Sequence, residues 1–156
     1  MSDTHTPVSR RRFCAGACQV ASGATLATFF SACGGSSPTS PSAASDLPVL
    51  PGQFANSRVQ VTVAGSALDA VGAAALVESV AGVYLLARTS ATAFTAVDAT
   101  CSHESCTITG IDGTTYVCPC HGSRYNRSGQ VLAGPAKASL RQFSTAFADG
   151  VVTIAL

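Results

Sequence analysis

The chain has 156 residues, enough for one ordinary domain with extensions. Charged residues make up 11%, well below the roughly 25% of a typical soluble domain, and nine Lys+Arg against eight Asp+Glu leave a net charge of +1. The bases are scattered and form no patch, which excludes a nucleic-acid footprint.

The N-terminus reads as an address. Ser9-Arg10-Arg11-Arg12-Phe13 resembles the twin-arginine export motif, in which an arginine pair is followed by a polar position and then Phe. From Phe13 to Ala32 the chain is apolar and uncharged, yet too rich in Ala, Gly, Ser and Thr for a membrane span. An export signal is therefore expected. Phe30-Ser31-Ala32-Cys33 resembles a lipobox, with Phe30 where Leu is usual. Cleavage there would leave Cys33 as a lipidated N-terminus holding the protein to a membrane by a lipid anchor. Cys14 and Cys18 fall inside the signal and would leave with it. Gly34 to Ser42 is a Gly/Ser/Pro run that cannot build a core and reads as a tether. Pro48 and Pro51 mark the approach to the folded part. The expected organisation is a signal over 1–33, a linker over 34–52 and one domain over 53–156.

Within that domain, Arg58-Val-Gln-Val-Thr-Val63 alternates apolar and polar residues, as a half-buried strand does. Ala67 to Ser79 is Ala-rich, with loosely helical spacing of Leu68, Val71, Ala75 and Leu76, and fits a short helix or an irregular loop. Val83 to Arg88 and Ala93 to Val97 read as an antiparallel pair, and Thr115 to Val117 as a further short strand. Tyr125 to Leu132 reads as a hairpin with Gly129 in its turn; Arg141–Phe147 and Val151–Ile154 flank the hairpin signal Asp149-Gly150. Phe143 and Phe147 are expected on a sheet face or in the core. Short strands at close spacing point to an all-β sandwich or barrel.

The chemistry sits in two short stretches, Cys101-Ser-His103-Glu-Ser-Cys106 and Cys118-Pro-Cys120-His121-Gly-Ser123. Each offers one Cys and one His, Cys101 with His103 and Cys118 with His121, and each carries a spare, Cys106 and Cys120. A zinc site would use two Cys and two His and leave the spares without a role. A two-iron cluster, one iron on thiolates and the other on imidazoles, uses the same four ligands. The spares are then free to tie the loops together.

These stretches are similar to the two cluster-binding boxes of the Rieske [2Fe–2S] proteins, Cys-Thr-His-Leu-Gly-Cys and Cys-Pro-Cys-His-Gly-Ser. The second box matches throughout; the first has Ser102, Glu104 and Ser105 in place of Thr, Leu and Gly. The resemblance runs from about Ala93 to Leu156 and implies a β-sandwich or barrel with a small cluster-binding subdomain. It implies one [2Fe–2S] cluster per chain, with Cys101 and Cys118 on one iron, His103 and His121 on the other, and a Cys106–Cys120 disulfide. It also implies that Ser123 donates to a bridging sulfide and Tyr125 to a ligand thiolate, and that Gly134-Pro135-Ala136 covers the cluster from a third side. Such a disulfide closes a loop of about 14 residues and contributes on the order of 3 kcal/mol by chain entropy.

Centres of this class span roughly −150 to +300 mV, and donors to sulfur raise the potential by stabilising the charge that reduction adds. Ser123 and Tyr125 favour the upper part, and reduction is expected to take up a proton at alkaline pH. The resemblance implies a one-electron carrier with no independent active site. Its partner is a cytochrome c, a cytochrome b complex or an exported oxidoreductase. A disulfide needs an oxidising compartment, whereas clusters are usually assembled in the cytoplasm. Twin-arginine export of the folded protein to the periplasm reconciles the two. The iron–sulfur subunit of a quinol–cytochrome c oxidoreductase is the alternative, against which Glu104 replaces a leucine of the quinol-docking tip. An oxygenase-type ferredoxin is a further alternative, but such proteins usually lack the spare cysteines and the Ser123/Tyr125 donors.

Overall fold

The computed structural model describes residues 44–156. Arg10, Arg11, Cys33 and the tether up to residue 43 lie outside the described residues. Among the described residues there are thirteen strands and no helix. In chain order these are β1 (Ser45–Asp46), β2 (Val49–Pro51), β3 (Gln53–Ala55), β4 (Arg58–Thr62), β5 (Ala74–Ser79), β6 (Gly82–Arg88) and β7 (Phe94–Asp98). They continue with β8 (Gly110–Asp112), β9 (Thr115–Val117), β10 (Arg124–Tyr125), β11 (Val131–Ala133), β12 (Gln142–Ala148) and β13 (Val151–Ala155). The fold is the expected all-β one.

Eight strands form the larger sheet in the order β2-β5-β6-β7-β12-β13-β4-β3, and five form the smaller in the order β1-β8-β9-β10-β11. All pairings are antiparallel except β2 with β5. β2 and β3 lie at opposite edges of the larger sheet, yet only Gly52 separates them in the chain. The sheet therefore curls until its edges nearly meet. A Cβ on Gly52 would come within 2.6 Å of Val59 Cγ1 and 2.8 Å of Val77 Cγ1, so no larger residue fits that corner without a shift.

The central strands are buried on both faces. Ala74, Leu76, Leu85, Ala87 and Val97 pack toward the smaller sheet with Leu47, Ile108, Tyr116 and Tyr125. Their neighbours Ala75, Val77, Tyr84, Leu86 and Ala96 fill a second core with Val59, Val61, Val152 and Ile154. Two-sided burial explains why 74–77 is an unbroken apolar run rather than an alternating one. Two expectations are corrected here. Residues 74–79 form neither a helix nor a loop but strand β5, preceded by turns in which Leu68 is fully buried. Strands also occur at 45–46 and 49–51, inside the expected linker, because Leu47 is a core residue and β2 completes the edge beside β5. Phe143 and Phe147 pack half-buried on the second core.

Arg127 ties the two sheets together. Its guanidinium donates to the carbonyls of Gly72 (3.0 Å) and Thr114 (3.1 Å) and lies over the Tyr116 ring, 5.3 Å from the centroid. The Tyr116 hydroxyl is buried without a hydrogen-bond partner. Burial pushes this phenol from 10.0 up to about 12, and Arg127 offsets only part of that. The folded protein thus keeps a proton that the unfolded chain loses first. The corresponding stability, roughly 2–3 kcal/mol, is whole below the ordinary phenol value and is lost as pH rises toward the folded one. Tyr116→Phe should therefore unfold in urea at no lower midpoint near neutrality, and should lose less stability between about pH 9 and about pH 11 than wild type. An equal alkaline loss in both proteins would contradict this.

Candidate metal centre

Of the two Cys/His stretches, one connects the larger sheet to the smaller and the other lies within the smaller sheet. The first, 101–106, lies between β7 and β8; the second, 118–123, lies between β9 and β10; Gly134 to Ala136 follows β11. The first two are one turn built twice. Cys101 N–H donates to Cys106 O (2.8 Å) while Ser105 N–H donates back to Cys101 O (2.9 Å). In the second, Cys118 N–H donates to Ser123 O (2.8 Å) and Gly122 N–H to Cys118 O (3.1 Å). In each case the fifth residue takes a left-handed conformation, Ser105 at φ 57° and Gly122 at φ 70°. Glycine adopts that geometry freely, whereas Ser105 holds it at a cost of about 1 kcal/mol. A Thr100–Thr107 bridge closes the base of the first turn.

A Cys106–Cys120 disulfide joins the two turns across a sequence separation of 14. Cys101 and Cys118 remain free thiols, both buried. The His103 and His121 rings meet edge to face, with centroids 4.9 Å apart. The predicted site residues are therefore brought together: two thiols on the inner side, two imidazoles on the outer, and a covalent tie beside them.

The thiols are unequal. Burial raises the Cys101 pKa, but the Tyr125 hydroxyl, the His103 backbone N–H and the Cys118 and Ser123 side chains outweigh it and hold this thiol below its ordinary value. Cys118 is pushed up, first by burial and then by the neighbouring Cys101, against relief from the backbone of Cys120 and His121. Burial and the bond to Cys101 raise the Tyr125 phenol in turn. Tyr125 lies 3.2 Å from Cys101 Sγ and accepts from Ser102 N–H at 3.3 Å. Ser102 Oγ, 3.2 Å from the same phenol, spends its proton on Ala138 O at 2.6 Å. The Tyr125 proton is thereby left for sulfur, where a charged acceptor binds it best.

The third loop is pinned to both turns, since Ser102 donates to Ala138 and Ala136 N–H donates to Ser123 Oγ (3.2 Å). Sequence reasoning missed the tie from Ser102 to Ala138. Its only trace was a hydroxyl residue at the second position of the first box. Ser123 is fully buried; its oxygen accepts from Ala136 N–H, and its hydroxyl is among the groups that hold the Cys101 thiol low, so its proton faces sulfur.

Three features fit this pocket to an iron–sulfur cluster rather than to an apolar core. Two buried thiols stay unpaired beside a formed disulfide. His103 Nδ1 is buried with no hydrogen-bond partner. The buried Ser123 hydroxyl turns to the Cys101 sulfur. Each is a polar group that ordinarily needs a partner when removed from water.

The family model for the Rieske [2Fe-2S] domain matches residues 46–144. The chain belongs to the Rieske [2Fe–2S] domain family. It is 40% identical over 52 residues to the cytochrome b6-f complex iron-sulfur subunit of Chlorobaculum thiosulfatiphilum, covering 33% of this chain and 29% of that one. The same subunit from a Cyanothece species is 38% identical over 58 residues, 36% of this chain and 32% of its own length. The chain thus spans about a third of the length of these curated relatives. Among solved structures it resembles a chain from the complex of reduced oxygenase and oxidized ferredoxin in carbazole 1,9a-dioxygenase. That match has a TM-score of 0.50 and 27% identity, over 62% of this chain and 92% of the other. As a Rieske protein the chain carries a [2Fe–2S] cluster and serves as an electron carrier, the cluster supplying storage for one electron at a time.

The third loop packs against the second turn without slack. A Cβ on Gly134, whose φ is +94°, would lie 2.6 Å from Ser123 Cα and 3.0 Å from Ser123 N and Gly122 O. Gly134→Ala should push this loop off the Rieske site, lower stability by roughly 2 kcal/mol or more and deplete bound iron. Thermal unfolding and iron-to-protein ratios check it; an unchanged melting point with full iron would contradict it.

Proposed function

We propose that this Rieske protein is an exported one-electron carrier, stand-alone or the small subunit of a periplasmic oxidoreductase. Cys101 and Cys118 hold one iron, and His103 and His121 hold the other. The observation that carries this is the doubled turn, which delivers one free buried thiol and one outward imidazole from each side of a disulfide. Exposure gives the carrier a direction. Cys101 and Cys118 are 2% and 1% exposed, whereas the His103 and His121 side chains are 28% and 48% exposed. Electrons therefore pass through the imidazole edge, and the partner docks there. Ser123 and Tyr125 donate to the sulfurs and keep the potential in the upper part of the family range.

Export rests on Arg10 and Arg11, and anchoring on lipidation of Cys33. The Cys106–Cys120 disulfide supports an oxidising compartment outside the cytoplasm. Residues 1–33 are then the signal, 34 to about 44 the linker, and the remainder the Rieske domain. The partner is a cytochrome c, a cytochrome b complex or an exported oxidoreductase.

A second reading, the iron–sulfur subunit of a quinol–cytochrome c oxidoreductase, draws on the relatives named as cytochrome b6-f subunits. Glu104 weighs against it, because its carboxylate stands at the imidazole edge where an apolar tip would meet quinol. The oxygenase-type ferredoxin finds support in the carbazole dioxygenase likeness. The disulfide and the Tyr125 contact to Cys101 weigh against that one.

Purified protein should contain two irons and two acid-labile sulfides per chain; one zinc and no sulfide would end this reading. Tyr125→Phe should keep its cluster and lower the midpoint by roughly several tens of millivolts up to about a hundred. A midpoint indifferent to that change would remove Tyr125 from the set of donors.

Replacing Arg10 and Arg11 with Lys should leave the protein in the cytoplasm, and mass spectrometry of the exported form should find diacylglycerol on Cys33. Unchanged export of the variant would contradict the signal.

A further inference from the structure

Glu104 faces both histidines at once. Its Oε1 lies 3.9 Å from His103 Nε2 and its Oε2 3.8 Å from His121 Nε2, so each imidazole meets its own carboxylate oxygen. Among the described residues no other carboxylate comes within 4.0 Å of a nitrogen of either ring. The two nitrogens of His103 are thus divided, with Nδ1 buried and unpartnered and Nε2 turned to Glu104.

The three groups also have the composition of a site for an external divalent cation, since their ligand atoms all lie within 4.8 Å of one another. Such a cation would require both Nε2 atoms to be free of protons. A neutral imidazole that gives Nδ1 to a metal keeps its single proton on Nε2. There a carboxylate is the natural acceptor, as it is for most metal-bound histidines. The present separations exceed a direct hydrogen bond, about 3.2 Å at most. They suit a charge contact or a bridging water, and the Glu104 side chain, 62% exposed, has room to close.

We propose that Glu104 is a positioning residue for the cluster: its carboxylate faces the Nε2–H of both imidazoles, orients the two rings and, by its charge, makes the cluster harder to reduce. This rests on His103 and His121 being ligands through Nδ1. Reduction adds one negative charge to the cluster, and a fixed carboxylate against its two outer ligands opposes that charge. Tyr125 and Ser123 act in the opposite sense from the inner side. The potential is therefore set between two buried hydroxyls that favour reduction and one exposed carboxylate that resists it.

The test is a dye-mediated redox titration of the holoprotein, wild type against Glu104→Gln and Glu104→Asp, at low and at high ionic strength. Iron and sulfide are measured in the same samples. At low salt Glu104→Gln should favour reduction about threefold or more, about 28 mV at 59 mV per tenfold. Glu104→Asp, which keeps the charge, should stay closer to wild type than to Gln. The gap between Gln and wild type should narrow at high salt, because the carboxylate is exposed and screened. A fully loaded Gln variant with a wild-type or lower midpoint would overturn the proposal. So would a Gln variant that cannot hold its cluster, since the residue would then serve folding. A wild-type chain without iron and sulfide would instead overturn the ligand assignment itself.

Discussion

Everything at the site depends on two identical turns being locked side by side. Each turn is closed by the same pair of backbone hydrogen bonds, and each needs one left-handed residue to do it. Neither belongs to a strand. The Cys106–Cys120 disulfide couples them, and Ser102 and Ser123 fasten the third loop across both. These side-chain ties converge on Cys101, Cys118, His103 and His121, which is why a small five-stranded sheet can carry so polar a pocket. The larger sheet supplies what the smaller one lacks. Its central strands bury both faces, so one of its two cores doubles as the floor beneath Cys101 and Cys118.

The same arrangement separates the electronic roles of the residues. In the proposed assignment the inner groups are buried hydroxyls beside the sulfurs, which favour added negative charge. Outer groups are imidazoles near solvent, with a carboxylate across them. A carrier needs both kinds: a protected interior that sets the potential, and an exposed edge through which an electron can leave. The Cys101 thiol is held below its ordinary value and the Cys118 thiol is pushed above it, so the two inner positions are unequal. Tyr125 leads the groups that lower Cys101, and because Ser102 hands its own proton to Ala138 the phenol is left free to serve sulfur.

Much of this was legible in the residues. The Cys/His spacing announced the centre. Alternation found β4, and Asp149-Gly150 found the β12–β13 turn, where φ is 51° and 77°. Strand β5 was not legible, because a strand buried on both faces loses the period of two and leaves only an apolar run. Its Ala-rich sequence then imitates a helix. The short pieces at 45–46 and 49–51 were hidden for another reason: they are strands by virtue of partners at 110–111 and 76–78, far along the chain. Ser105 could be seen only as a departure from a family glycine. Its positive φ shows what that glycine is for. Glu104 was visible as a charge in an apolar position, but its reach to two imidazoles is a fact of three dimensions.

The central claim is that two equivalent turns build an inequivalent pair of irons, one on thiolates and one on imidazoles. Mössbauer spectroscopy of isotopically enriched, oxidised holoprotein, in which both irons are ferric and differ only in their ligands, tests this most directly. The account predicts two iron signals of equal intensity and clearly different isomer shift, as expected when sulfur and nitrogen ligands are segregated. Two irons in the same sulfur environment, or a single iron site, would contradict it.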